Sequence, residues 1–178
     1  MNPRGYLLES FSVAVKAADP AHIVPQHLPD PPRGRTLVVG AGKAAAAMAL
    51  AVENVWPAAA QLDGLVVTRY GHKIPTQQIE VVEAGHPLPD ENGERASRQI
   101  LATVKALKSD DLLLCLLSGG GSSLLSLPIE GISLQELREI TRQLLRCGAS
   151  IQEINTVRKH LSAIQGGKLA AVCKAPIL

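Results

Sequence analysis

Two glycine-rich segments of the sequence have the composition of anion-binding turns. The first follows six consecutive apolar residues, which predict a strand that is buried on both faces. Its three consecutive glycines let the backbone adopt positive φ and turn N–H groups towards one point, and a helix that begins at Ser122 would add its positive end. A tight turn without a ligand is the alternative interpretation. The predicted site for a phosphate or a carboxylate consists of Ser118, Gly119, Gly120, Gly121, Ser122 and Ser123.

The second glycine turn reads Gly40-Ala-Gly42-Lys43-Ala-Ala45 and fits the G-x-G-x-x-A fingerprint of dinucleotide sites. The match is weak, because the fingerprint requires an acidic residue at the end of the second strand and Asp63 precedes that strand. Lys43 is the distinctive residue, since an ammonium group at a helix N-terminus faces the unfavourable end of the helix dipole. Lys43 therefore either binds an anion such as phosphate or points into solvent.

Four further side chains are candidates, although each has a simpler explanation as well. His86 follows a predicted strand and could orient a substrate hydroxyl or act as a base, or it could simply bond to the loop backbone. Arg69, after the second predicted strand, would suit the 2′-phosphate of a dinucleotide at best. Asn155 and Arg158 lie on one predicted helix, where a solvated helical surface explains them equally well.

The elements that must position these residues follow from the hydrophobic pattern. Apolar runs predict strands from Thr36 and at 64–68, 79–83 and 112–117. Strands that alternate with helices predict an α/β fold with a Rossmann-like, doubly wound and mainly parallel sheet. Both glycine turns then lie at the carboxyl edge of the sheet and converge on one crevice. Helical spacing and two capping boxes predict helices at 3–18, from the glycine turn to about Val55, at 90–107, 134–146 and 151–163, and after Gly167.

Composition restricts the class of protein. The 178 residues can form one domain, and the net charge of +2 argues against a protein devoted to nucleic acid or to acidic membrane surfaces. Three widely spaced cysteines, no signal-peptide core and no apolar run of membrane-spanning length predict a soluble, cytoplasmic protein. The apolar end of the chain, 174–178, resembles the start of another strand, so we expect a fragment whose open sheet edge favours self-association into a homo-oligomer.

Four blocks of the sequence, taken in order, are specific for one protein family. They read VVGAGKAA at 38–45, VEAGHPLPDENG at 82–93, LLSGGGSSLL at 116–125 and IQEINTVRKHLSAIQGGKLA at 151–170. Together they resemble the amino-terminal domain of the glycerate 2-kinases of the MOFRL-associated class, which are often labelled hydroxypyruvate reductases. The resemblance implies ATP-dependent phosphorylation of D-glycerate to 2-phosphoglycerate with Mg²⁺. It also implies that Lys43 is catalytic and that the segment 118–123 lies in the same cleft.

Members of that family are at least twice as long as this chain, so residues 1–178 would be an incomplete amino-terminal domain without the carboxyl-terminal domain. The resemblance places the metal-holding acids in the missing part, and no metal ligand is assigned here. In the kinase hypothesis Lys43 bridges phosphate oxygens or binds the glycerate carboxylate, and His86 holds a glycerate hydroxyl. Asn155 and Arg158 bind the substrate. Which of the two glycine turns holds ATP stays open.

Two other hypotheses remain for this sequence. An NAD(P)H-dependent hydroxypyruvate reductase is favoured by the G-x-G-x-x-A fingerprint and by the usual label of the family. The missing ribose carboxylate and the lysine within the turn oppose it. The other hypothesis concerns the chain alone, which would lack half of a cleft and would then be an inactive binding or assembly piece of the kinase.

Overall fold

The computed structural model describes residues 2–178, and its centre is a parallel sheet between two layers of helices. The strands are β1 (Thr36–Ala41), β2 (Leu62–Arg69), β3 (Ile79–Ala84) and β4 (Leu112–Leu117), in the spatial order β3-β2-β1-β4. The chain moves outwards from β1 to β3 and then returns to the other side of β1, so the winding reverses between β1 and β4. The predicted α/β fold with a doubly wound parallel sheet is confirmed.

The helices begin and end where local sequence signals favour it. At the starts of two of them a serine hydroxyl accepts from the backbone of a glutamate three residues later, and that carboxylate accepts from the serine backbone, as the capping boxes predict. No helix in residues 2–178 is both long and apolar enough to cross a bilayer. The α-helices are α1 (Pro3–Ala17), α2 (Pro20–Ile23), α3 (Ala45–Val55), α4 (Glu91–Lys105), α5 (Gly121–Leu124), α6 (Leu134–Arg146), α7 (Ile151–Leu161) and α8 (Lys168–Ala171), with a 3-10 helix at Val24–His27.

Side chains on the two faces of the sheet form two separate hydrophobic clusters. On one face α3 buries the small residues Ala45, Ala46 and Ala49 together with strand side chains. On the other face Ile100 and Val104 of α4 are fully buried in the second cluster. Each fully buried aliphatic side chain of this size stabilises the fold by about 1.5–3 kcal/mol. Both faces of the sheet are therefore covered, which fixes the strand ends that carry the candidate site.

Some predicted details are wrong. The helix expected to begin at Ser122 begins at Gly121 and ends after four residues, because Leu125 leaves the helical region with ψ of 76°. The strand β4 is not buried on both faces along its whole length, since Leu117 is 64% exposed. Asp63 does not precede β2 but lies within it, near its amino end, where it pairs with Arg35.

The two ends of the described chain differ in how they contact the rest. Helix α1 has the predicted extent to within one residue, but it buries none of its side chains, and Leu7 and Phe11 are 73% and 69% exposed. The segment 176–178 does form the predicted strand-like pairing, because Ile177 bridges Leu113 of β4 in parallel register. It is paired but exposed, not buried.

Candidate functional site

The two glycine turns lie together at the carboxyl edge of the sheet. The backbone N–H of Lys43 donates to the Gly119 carbonyl at 2.9 Å, and the N–H of Ala44 donates to the Ser118 hydroxyl at 3.0 Å. These bonds join the turn after β1 to the turn after β4, which are the two strands where the winding reverses. Ligands bind at such reversal points in open α/β sheets. The predicted convergence on one crevice is therefore seen in the structure.

Glycine is required at the centre of this crevice. Gly120 has a φ of +89°, a conformation that side chains disfavour. A Cβ atom there would also lie 2.7 Å from His86 Nε2 and 3.6 Å from Lys43 Cε. The missing side chain therefore lets the turn after β4 approach both His86, which follows β3, and Lys43, which follows β1.

The segment 118–123 offers free backbone donors. In the described part of the chain, the N–H groups of Gly119, Gly120 and Ser122 donate to no protein acceptor. Helix α5 has only one turn and supplies no extended helix dipole, so any anion here would be held by the individual amides. The serines at the two ends of the segment have structural partners. Ser118 Oγ accepts from Ala44, and the Ser123 hydroxyl donates to the Gly120 carbonyl at 3.1 Å.

His86 sits among positive charges. Burial lowers its pKa most, and the charges of Lys43, Arg69 and Arg158 lower it further. The imidazole of His86 is therefore neutral at neutral pH, with one nitrogen able to donate and one able to accept a hydrogen bond.

The cations around His86 have no protein counter-charge. Lys43 and Arg69 are exposed, whereas Arg158 on α7 is half-buried, and its burial lowers the pKa of its guanidinium. Among residues 2–178 no carboxylate lies within 4.0 Å of any of the three. The half-buried charge of Arg158 is costly without a partner unless an anion from elsewhere neutralises it. The arrangement therefore favours an anionic ligand.

Two cavities open beside the amides of the segment 118–123. The smaller one has a volume of about 220 Å³ and contains His86 and Arg158 in its walls. The larger one, of about 620 Å³, is walled mainly by apolar side chains and also by Gly40 and Ser118. Three residues line both cavities, so the predicted site residues stand at the boundary between them: Gly120, Ser122 and Asn155.

The acidic residues near the crevice are engaged in structural bonds. Glu83 Oε1 accepts from two loop amides, and Asp90 accepts from Gly93 N–H and from the Tyr70 hydroxyl. Glu91 pairs with an arginine of α6 at 3.3 Å. No group of three or more His, Cys, Asp or Glu side chains within residues 2–178 is placed to hold a metal ion. The residues present here do not fit a Mg²⁺ site.

The sequence did not identify Arg69 as part of the kinase site, because the strand order decides which residues lie next to it. β2 lies between β1 and β3, so the end of β2 falls between Lys43 and His86. The alternation of strands and helices leaves that order open, and only the pairing of β2 with β3 brings Arg69 to the site. Gly40, in contrast, lies inside β1, where a Cβ atom would meet Leu116 of β4.

Comparison with known proteins gives one family and several long relatives. Residues 6–177 match the family described as a domain of unknown function, DUF4147. The chain is 52% identical over 170 residues to a protein of Agrobacterium vitis provisionally named a hydroxypyruvate reductase, with 96% of the chain and 39% of that protein covered. It is 46% identical over 164 residues to the D-glycerate 2-kinase of Thermotoga maritima, with 92% of the chain and 39% of that protein covered.

Solved structures give the same result. A crystal structure of a protein from Pyrococcus horikoshii OT3 superimposes with a TM-score of 0.86 at 40% identity, covering 99% of this chain and 43% of that one. The crystal structure of the glycerate kinase from Thermotoga maritima gives a TM-score of 0.83 at 43% identity, covering 96% of this chain and 42% of that one. The chain thus spans about two fifths of the length of the proteins it matches.

Proposed function

The chain belongs to the DUF4147 family, and we propose that residues 1–178 form the amino-terminal part of a glycerate 2-kinase, which transfers a phosphoryl group from ATP to D-glycerate. The resemblance to the glycerate 2-kinases that the sequence predicts is confirmed by relatives of that name. The chain spans about two fifths of the length of these relatives, so we propose the kinase activity and its substrates by analogy with them.

The observation that carries the proposal is the set of unpaired cations around His86, which lies beside free amides. Lys43, Arg69 and Arg158 have no carboxylate partner in the described residues, and their charges lower the pKa of His86, whose Nε2 faces Gly120 of the donor-rich segment 118–123. Phosphoryl transfer depends mainly on positioning and on neutralising negative charge. A crevice with surplus positive charge and unused N–H groups has the properties that such a transfer needs.

Each candidate residue has a role that its position allows. Lys43 bridges the phosphate oxygens at the point where the two glycine turns meet, and the N–H groups of Gly119 and Gly120 donate hydrogen bonds to the oxygens of the phosphoryl group. His86 is neutral and accepts the hydrogen bond of the glycerate hydroxyl that attacks. Asn155 and Arg158, in the wall of the smaller cavity, hold the bound substrate.

The 178-residue chain alone should not turn over. The acids near the crevice are bonded to the protein, so the carboxylates that phosphoryl transfer requires around a metal would have to come from outside residues 2–178. The proposed reaction therefore belongs to the longer protein, and this chain contributes the anion-binding part of the site.

The reductase hypothesis has one feature in its favour, the name carried by the Agrobacterium vitis relatives. The structure provides an argument against NADH as its cofactor. An NADH site needs a carboxylate for the ribose at the carboxyl end of β2, where this chain has Arg69, which would suit only the 2′-phosphate of NADPH. Asp63 lies instead at the amino end of β2, on the opposite edge of the sheet, where it bonds Arg35 at 2.7 Å. Nothing in the position of Asp63 lets it reach a ribose beside Gly42.

Coupled assays on two proteins test the proposal. One is the 178-residue chain, and the other is a chimaera in which this chain replaces the matching part of the Thermotoga maritima D-glycerate 2-kinase. We expect ADP release from ATP, Mg²⁺ and D-glycerate with the chimaera only, and no NADPH loss with hydroxypyruvate in either protein. Hydroxypyruvate-dependent loss of NADPH without release of ADP would overturn the kinase proposal and favour the reductase.

A further inference from the structure

Arg69 is held by a neighbouring histidine, not by an acid. Its Nε–H donates to Nε2 of His72 at 2.7 Å, so this imidazole nitrogen is the acceptor. The two terminal nitrogens of Arg69 donate to no acceptor in the described part of the chain. A guanidinium held through Nε keeps its planar pair of terminal donors free, and that pair matches the two oxygens of a carboxylate.

The loop that carries His72 is fixed by the next strand. Glu83 of β3 accepts from the backbone N–H groups of His72 and Lys73, both at 3.1 Å. The carboxylate of Glu83 is thereby bonded to the loop, and Asp90 is bonded to Tyr70 and Gly93. The acids nearest to Arg69 therefore hold the loop in place and leave the terminal nitrogens of Arg69 for an external anion.

Arg69 and the free amides lie on opposite sides of the crevice. Arg69 ends β2, and the segment 118–123 follows β4, with the end of β1 between them. Two strand spacings separate them, which is about 10 Å. The positive charge of Arg69 nevertheless reaches His86, which contacts the turn at Gly120. The carboxylate of D-glycerate at Arg69 and the phosphoryl group of ATP at the amides could therefore lie on the two sides, with the attacking hydroxyl at His86 between them.

We infer that Arg69, oriented by His72, forms a separate subsite for the carboxylate of the acceptor substrate. The inference rests on the proposed function and deepens it, because it assigns the carboxylate to the end of β2 and leaves Lys43 and the amides of 118–123 for the phosphoryl group. His72 acts through Arg69 and is a positioning residue. No bond is made or broken at this subsite, whose task is to orient the hydroxyl of the substrate.

Anion titrations of the 178-residue chain test the subsite. D-glycerate and inorganic phosphate are titrated separately and followed through the backbone amide signals of the chain. We expect Arg69→Gln to weaken D-glycerate binding about 10-fold to 100-fold, the worth of a hydrogen-bonded charge, and to weaken phosphate binding by less than about threefold. Arg33→Gln is the matched control, since Arg33 is an exposed arginine at the amino edge of the sheet. It should change neither affinity.

The possible results separate the two proposals. If the unsubstituted chain binds both anions and Arg69→Gln changes neither affinity, or weakens both equally, the subsite is overturned while the proposed function stands. If the unsubstituted chain binds neither anion, both are overturned.

The role of His72 has its own readout in the chimaera. His72→Leu removes the acceptor for Arg69 and should raise the KM for D-glycerate about tenfold with little change in kcat. His72→Gln, whose amide oxygen can accept the same hydrogen bond, should restore the KM. A rise in KM with both variants would mean that His72 only supports the loop, and the positioning role would be overturned.

Discussion

The two edges of the sheet differ in whether their charged side chains have partners within the protein. At the amino edge, Arg35 pairs with Asp63, and the buried Asp111 accepts from the backbone N–H groups of Arg35 and Lys108 at 2.9 and 2.8 Å. At the carboxyl edge, the cations near His86 have no acid and the amides of Gly119, Gly120 and Ser122 have no acceptor in the described residues. The amino edge pairs Arg35 with Asp63 and bonds Asp111 to the backbone, whereas the carboxyl edge leaves three cations and three amides for a ligand.

This difference separates stability from function within one small sheet. Unsatisfied donors and unpaired charges cost free energy, and they persist only where something else needs them. Substitutions at the amino edge should therefore change the free energy of unfolding, whereas substitutions at the carboxyl edge should change turnover and ligand binding. The following variants test that division.

Lys43→Ala should give the largest effect on activity. Removing the ammonium group from the crevice should lower turnover of the chimaera about 100-fold to 1000-fold, as loss of one charge-stabilising group does elsewhere. The side chain is exposed, so the unfolding midpoint of the 178-residue chain should not change. Turnover is measured as ADP release and the midpoint by chemical denaturation.

Two controls accompany this variant. Lys105→Ala removes an exposed lysine at the end of α4 and should leave turnover unchanged. In Lys43→Ala the pKa of His86, followed by NMR, should rise, because one of the positive charges that lower it is gone. Normal turnover in a folded Lys43→Ala protein would contradict the role of this lysine and the contrast between the edges.

Gly120→Ala compared with Gly131→Ala separates backbone strain from crowding. Both glycines have positive φ, +89° and +85°, so each alanine should destabilise the fold by about 1–2 kcal/mol. A Cβ atom at Gly120 would lie 2.7 Å from His86 Nε2, whereas a Cβ at Gly131 meets nothing within 4 Å. Only Gly120→Ala should therefore lower turnover, about tenfold or more, because it displaces His86.

One result for Gly120→Ala and Gly131→Ala would contradict this prediction. Equal turnover in the two variants, measured at equal folded fraction, would show that the position of His86 does not matter for the reaction.

Asp111→Asn should lower the stability of the fold and leave turnover unchanged. The substitution leaves only one of the two oxygens that accept from Lys108 and Arg35, and it should lower the free energy of unfolding by about 1–2 kcal/mol at pH 7. Asp110→Asn is the control, because Asp110 is exposed and only its backbone carbonyl is bonded. Unfolding by denaturant measures both, and a drop in turnover of folded Asp111→Asn would contradict the division.

The effect of Asp111 should also depend on pH. Backbone N–H groups of Lys108 and Arg35 hold the pKa of its carboxyl below the ordinary value, so the folded state binds this proton more weakly than the unfolded state. The stabilisation is therefore present above about pH 4, the pKa in the unfolded chain, and is lost as the pH falls further through the folded pKa. The difference between the unsubstituted chain and Asp111→Asn should shrink in that acidic range.

The sequence was sufficient where a local signal decides the structure. β4 and α6 occupy the predicted residues 112–117 and 134–146, because a continuous apolar run and a capping box mark their limits. The convergence of the two glycine turns also followed, since strand ends of a parallel sheet share one edge. The helix predicted to begin at Ser122 begins one residue earlier, at Gly121, and consists of a single turn.

The sequence was insufficient where distant residues decide. The roles of Glu83 and Arg69 depend on the pairing of β2 with β3, and no spacing along the chain encodes the bond from Arg69 to His72 as part of a site. The sequence likewise did not predict that α1 is exposed on all sides, because its apolar pattern is typical of a helix that packs on a core. The predicted roles of Asn155 and Arg158 stay predictions, although the smaller cavity brings both beside His86.

The reversal of winding beside β1 also sets an order of events during folding. Thr36 of β1 pairs with Leu62 of β2, which follows after one helix, but also with Leu112 of β4, which is made much later. Pairings between distant segments form slowly, because a long loop must close first. The crevice is complete only when β4 docks, so on the ribosome this half of the site would appear with the last strand of the sheet. An anion bound there would then stabilise only chains that have finished folding.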